Sequence, residues 1–127
     1  MLSLTTKKYE VEEKVEIKNE QEEVLYSFDM QITSGEMKRI KDILFDESYK
    51  VSKIKDEDKV MEKSLKLQEE FEDICFKEHK EPFKKVNEYK YLEMVDLMYD
   101  FFINMFIDKR VQQVNTINTN LHKITKN

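Results

Sequence analysis

From Tyr9 to Ile17 the odd positions read Tyr, Val, Glu, Val and Ile, while the even ones are Lys or Glu. A period of two marks a half-buried strand, and only Glu13 interrupts its apolar row. Past Asn19-Glu20-Gln21-Glu22 the alternation returns, with Val24, Tyr26, Phe28, Met30 and Ile32 on one face and Leu25, Ser27, Asp29 and Gln31 on the other. The pattern predicts a β-hairpin over residues 9–32 with one apolar face. Its turn has no Asn-Gly or Asp-Gly pair, so a connection of four or more residues is expected. An isolated hairpin is marginal in water, so that face needs helices beneath it.

Helical signals begin at once. Thr33-Ser34-Gly35-Glu36 offers a Thr cap with a Glu three residues later, a capping box. Met37, Ile40, Ile43 and Leu44 then form one apolar stripe. Glu47 to Asp58 has weaker periodicity and reads as a connector or a loosely ordered helical extension. A second helix is expected from Asp56 or Asp58, its apolar row carried by Val60, Leu67 and Ile74 with Ser64 and Phe71 beside them. Pro82 is expected to close it, because residues before a proline leave the α region, and then to open a short turn bearing Phe83 and Val86. Asn87 or Glu88 leads into a third helix from about Tyr89 to Gln113. Within it, from Tyr91 to Ile107, only Glu93, Asp96, Asp100 and Asn104 are polar, and they form a narrow edge for solvent. So apolar a helix has to be buried by its own chain or by a partner. Beyond it Asn115, Thr116, Asn118, Thr119 and Asn120 are poor helix formers, so residues 114–127 are expected to be a flexible polar and basic tail. The fold class is therefore α+β: one domain over 1–127, an N-terminal two-stranded antiparallel hairpin packed on three to four α-helices, with the helical part over 34–113.

Composition narrows the function. The 127 residues carry 27 acids against 22 Lys and Arg, a net charge of −5, which argues against nucleic acid because phosphate binding needs a basic face. The basic bias is terminal: after Asp108 come Lys109, Arg110, Lys123 and Lys126 and no acid. The helix from Tyr91 falls short of the ~20 apolar residues of a membrane span, and Asp96 and Asp100 would each cost about 2.5–3.5 kcal/mol at its centre. The opening MLSLTTKKYE has no apolar export core, so a cytoplasmic protein is expected. Cys75, the single cysteine, lies between Ile74 and Phe76 and reads as a buried inert thiol. His79, at an exposed helix end by pattern, and His122 in the tail suggest no nucleophilic triad. Gly35 is the only glycine, so a Walker loop or dinucleotide fingerprint has no place.

Two resemblances give the function an outline. Glu69-Glu70-Phe71-Glu72-Asp73 followed by Glu93-Met94-Val95-Asp96 resembles the EExxE and ExxD motifs of all-α nucleotide pyrophosphohydrolases of the MazG type, with Asp73 replacing the last Glu of the first motif. That likeness would imply Mg²⁺ held by Glu69, Glu70, Asp73, Glu93 and Asp96. A solvated polar face accounts for the same acids, and the hairpin has no place in that fold. The order of elements across Tyr9 to Arg110, with ICFKEHKEPFKKV before YLEMVDLMYDFFINMFIDKR, resembles the small tail assembly chaperones of long-tailed phages and prophages of Gram-positive bacteria. This second resemblance implies a non-enzymatic protein with no cofactor or metal, often oligomeric, that binds the tape-measure protein and recruits tail-tube subunits. The surplus of apolar residues on the third helix then marks Phe102, Met105 and Phe106, rimmed by Lys109 and Arg110, as the expected partner-binding surface.

Overall fold

The hairpin forms as its alternation requires. In the computed structural model, which describes the backbone of residues 1–125 and side chains as far as Lys109, β1 (Val11–Lys18) pairs antiparallel with β2 (Val24–Ile32). Val11 lies opposite Ile32, Val15 opposite Phe28 and Ile17 opposite Tyr26, so opposed side chains share a face. Val11, Val15, Ile17, Phe28, Met30 and Ile32 are buried. Glu13, the odd member of the row, is exposed opposite Met30. The connection is the longer type expected: Asn19 Oδ1 accepts from the backbone N–H of Gln21 and Glu23 at 3.0 and 2.9 Å, and Glu22 takes the left-handed region with φ 66°. A bulge between Ile17 and Lys18 lifts Val24 out of the apolar row, and Val24 is exposed.

The capping box is complete. Thr33 Oγ1 accepts from the Glu36 N–H at 3.2 Å, and the Thr33 N–H donates to Glu36 Oε1 at 2.9 Å, starting α1 (Ser34–Lys41). The chain then runs without a break through a π-helical segment, Asp42–Glu47, into α2 (Ser48–Ser52), so the stretch from Glu47 begins as the helical extension, one of its two readings, and is a connector only over 53–56. Met37, Ile40 and Ile43 are buried and Leu44 half-buried, as the stripe requires. The Ser48 hydroxyl donates to the Ile43 carbonyl at 2.7 Å, satisfying backbone within the wide turns.

Asp56 caps α3 (Glu57–Phe76), at the expected start. Its core positions are Phe71, Cys75 and Phe76, whereas the heptad row Val60, Leu67 and Ile74 is only half-buried. A repeat of seven drifts around a straight helix of 3.6 residues per turn, so one row cannot follow the core along its whole length. The end of α3 also differs from expectation. Lys77, with φ 52°, breaks the helix well before Pro82 and begins a 3-10 turn, Lys77–His79. Its ammonium donates to the Gln31 carbonyl and, at 3.1 Å, to Glu36 Oε1, tying the break to the end of β2 and to the cap of α1. Pro82 instead sits in the first turn of α4 (Lys80–Val86), where its missing N–H has no intrahelical acceptor to lose.

The last helix, α5 (Glu88–Thr125), extends past Gln113. The expected flexible tail over 114–127 falls where side chains lie outside the described residues. Tyr91, Val95, Met98, Phe102 and Phe106 form one buried stripe, while Asp96, Asp100 and Asn104 reach solvent as expected. Leu92, Leu97 and Ile107 are exposed as well, so this helix is covered on one side and not all round. At the centre of the core Phe76 packs against Phe28 and Phe83, each with ring centroids 5.6 Å away, and against Tyr91 at 4.7 Å. Phe71 stacks on Tyr99 at 4.1 Å.

Two consequences can be measured. Phe76→Ala should lower stability by about 3–5 kcal/mol, the cost of emptying a fully packed aromatic site, seen as a shifted urea midpoint. Burial raises the Tyr91 phenol well above its ordinary value, reinforced by Glu72, and pushes Tyr99 up to about 12. A raised phenol pKa leaves stability intact below the unfolded value near 10 and removes it as pH rises through the folded value. In an alkaline titration followed by phenolate absorbance, Tyr91 and Tyr99 should ionise last of the six tyrosines, together with loss of helical circular dichroism. A single step for all six with the fold intact would contradict this packing.

Candidate functional site

The acids that suggested a metal centre are distributed among separate cations. Glu70 Oε2 accepts from Arg39 Nε and Nη2 at 2.7 and 2.6 Å, and Arg39 Nη1 also lies 3.7 Å from Glu47. That bond to Glu70, against a smaller opposing effect of burial, raises the guanidinium pKa further. Asp73 pairs with Lys80 at 2.9 Å and Glu93 with Lys90 at 3.0 Å, while Glu69 and Asp96 are exposed. Among the described residues no group of three or more His, Cys, Asp and Glu side chains is placed to hold a metal ion. The acid that does enter the core is Glu72, which the sequence does not single out; it accepts a hydrogen bond from the Tyr91 hydroxyl.

Cys75 is buried, and desolvation drives its thiol far above the ordinary range, so thiolate is suppressed. The placement of His79 corrects the sequence reading. Its ring stacks on Phe28 with centroids 4.6 Å apart, and Nδ1 shares a hydrogen bond with the Tyr26 hydroxyl at 2.6 Å. It is half-buried against the hairpin because the break at Lys77 turns it inward. His122 lies outside the described residues.

The residues expected to form a partner surface differ in exposure. Phe102 is fully buried, edge-on to Phe71 at 6.0 Å, and Phe106 is buried against Phe45 at 6.0 Å. Both share the stripe of Tyr91, Val95 and Met98, which faces the rest of the chain; Phe102 is core throughout, whereas Phe106, though buried, also lines a groove with Met37 and Lys109. Met105 is half-buried, Lys109 is exposed, and Arg110 lies outside the described residues. The open apolar surface on α5 is one shoulder earlier. Met94, Leu97, Met98 and Phe101 recur at spacings of three, one and three and meet Val15 and Met30 of the hairpin in a groove of about 180 Å³. Met30 and Met98 form its buried floor, Met94 and Phe101 are half-buried, and Leu97 stands 60% exposed. Glu13 and Lys14 complete the lining. The helical spacing and the lone Glu13 in an apolar strand were the available signals. Which side of α5 turns inward is not readable from them.

No family model, curated protein or solved structure matches this chain.

With Mg²⁺ and a panel of nucleoside triphosphates the protein is expected to release no pyrophosphate, because Glu70, Asp73 and Glu93 already serve Arg39, Lys80 and Lys90. Release that vanished in both Glu70→Gln and Asp96→Asn would restore the hydrolase reading.

Proposed function

We propose that this protein is a non-enzymatic binding protein of the phage tail assembly chaperone type, which holds an amphipathic helical segment of a tape-measure protein and helps recruit tail-tube subunits. The observation that carries the reading is the methionine-lined groove between β1, β2 and α5. Its rigid side is the hairpin floor. Its adaptable side is thioether and leucine on one helix, and unbranched, polarizable methionine accommodates clients of differing shape. An amphipathic helix presenting anchors at i, i+3 or i+4 and i+7 is the natural occupant of such a groove. Glu13 and Lys14 at the lining can meet either sign of charge along a client. The net charge of −5 disfavours nucleic acid as the partner, and among the described residues no helix is long and apolar enough to cross a membrane.

The test separates groove from core. Leu97→Asp places a charge at an exposed position, so the melting transition should stay while capture of a phage tape-measure protein falls by the ~2 kcal/mol or more of a lost anchor. Phe106→Ala should instead lower stability by about 3–5 kcal/mol as a core truncation. Unchanged capture by Leu97→Asp would remove the groove from the interaction.

A further inference from the structure

A second pair of surfaces carries an inference independent of the client groove. The side of α3 that is buried at Glu72, Cys75 and Phe76 continues toward the N-terminus as Met61 and Leu65, since about 100° per residue brings all five onto one face. There it has no cover: Met61 is 67% and Leu65 59% exposed. Asp58, Glu62 and Glu69 flank this strip, while Lys59, Lys63 and Lys66 turn to the other side of the helix. Only Glu62 has an ion-pair partner among the described residues, Lys66 at 3.3 Å, in an exposed pair that contributes little. Lys55 and Glu57 also line the surface at these two anchors, so the face is acidic on balance, with Glu57, Asp58, Glu62 and Glu69 against Lys55.

Its complement lies elsewhere on the same chain. Beside the start of α1 a groove of about 270 Å³ has Met37 and Phe106 as apolar lining, with Lys38, Lys41 and Lys109 against a single acid, Glu10. All three lysines are exposed and none forms an ion pair with a described residue. In an acidic protein this is a local concentration of unused cations over an apolar floor.

We propose that the groove of Lys38, Lys41 and Lys109 receives the Met61–Leu65 face of α3 from a second copy of the chain. Each surface repels its own kind, since groove on groove sets lysine against lysine and face on face sets acid against acid. Only the crossed pairing satisfies both charge and apolar burial. A contact between two different patches is heterologous, so it repeats from copy to copy and either closes a ring or grows a filament.

The experiment uses sedimentation velocity on the full chain at tens of micromolar. The wild type should form species larger than a dimer that dissociate as salt approaches ~1 M, where the screening length falls to about 3 Å. Lys38→Glu/Lys41→Glu should lack a working groove and Glu62→Lys/Glu69→Lys a working face, each associating at least tenfold more weakly with unchanged circular dichroism. Mixed one to one, the intact face of the first variant meets the intact groove of the second, and the reversed groove meets the reversed face with opposite charges again, so the mixture should recover assembly beyond the dimer. Met61→Ser/Leu65→Ser should weaken assembly without altering charge. A monomeric wild type, assembly that persists in each charge-reversed variant alone, or a mixture that fails to reassemble would overturn the proposal.

Discussion

A two-stranded sheet cannot bury its own apolar face, and the rest of this structure is arranged around covering it. Six inward side chains of β1 and β2 need partners from one direction only, and these come from the end of α3, from α4 and from the first turns of α5. Phe76 is the meeting point: one ring touches Phe28 on the sheet, Phe83 on α4 and Tyr91 on α5. α3 must therefore stop just after it. Had the helix continued, residues 77–83 would have run past the sheet instead of folding back across it.

The left-handed backbone at Lys77 makes that turn. A non-glycine residue in a sparsely populated region costs on the order of 1–3 kcal/mol, so other contacts have to hold it. The Lys77 ammonium supplies them by reaching the Gln31 carbonyl and the Glu36 carboxylate. Burial pushes the Glu36 carboxyl up, but hydrogen bonds from the Thr33 backbone and from Lys77 outweigh it and hold the pKa below the ordinary value. The carboxylate therefore belongs to two devices at once, the cap of α1 and the end of α3. Its stabilising contribution is present above the unfolded value near 4.5 and fades as pH falls through the folded one.

Covering a sheet on one face has a consequence for function. Elements longer than the face they cover project beyond it, and their apolar stripes continue into solvent. α3 does so at Met61 and Leu65, and α5 does so sideways at Leu97 beside Met94 and Phe101. These surfaces are not defects of packing at scattered positions. They are extensions of the core faces themselves, so each exposes apolar side chains directly beside packed interior.

What the chain determined by itself is whatever depends on neighbours a few residues apart. Alternation over 9–32 specifies the hairpin, Thr33 with Glu36 starts α1, Asp56 starts α3, and Cys75 between Ile74 and Phe76 is buried. Caps and periodicities are local chemistry, and they survive unchanged in the folded state. Only tertiary structure decided that α3 ends at Lys77 rather than at Pro82, because the acceptors holding Lys77 come from β2 and α1, more than forty residues earlier in the chain. It likewise decided that His79 stacks on Phe28 and that Glu72 is buried against Tyr91. The candidate site shows the same division. The helix that carries it could be named from composition, but Phe102 became core and Leu97 became surface once the rest of the chain chose a side of α5. A helix apolar around most of its circumference has several equivalent sides, and only the partner that packs against it selects one.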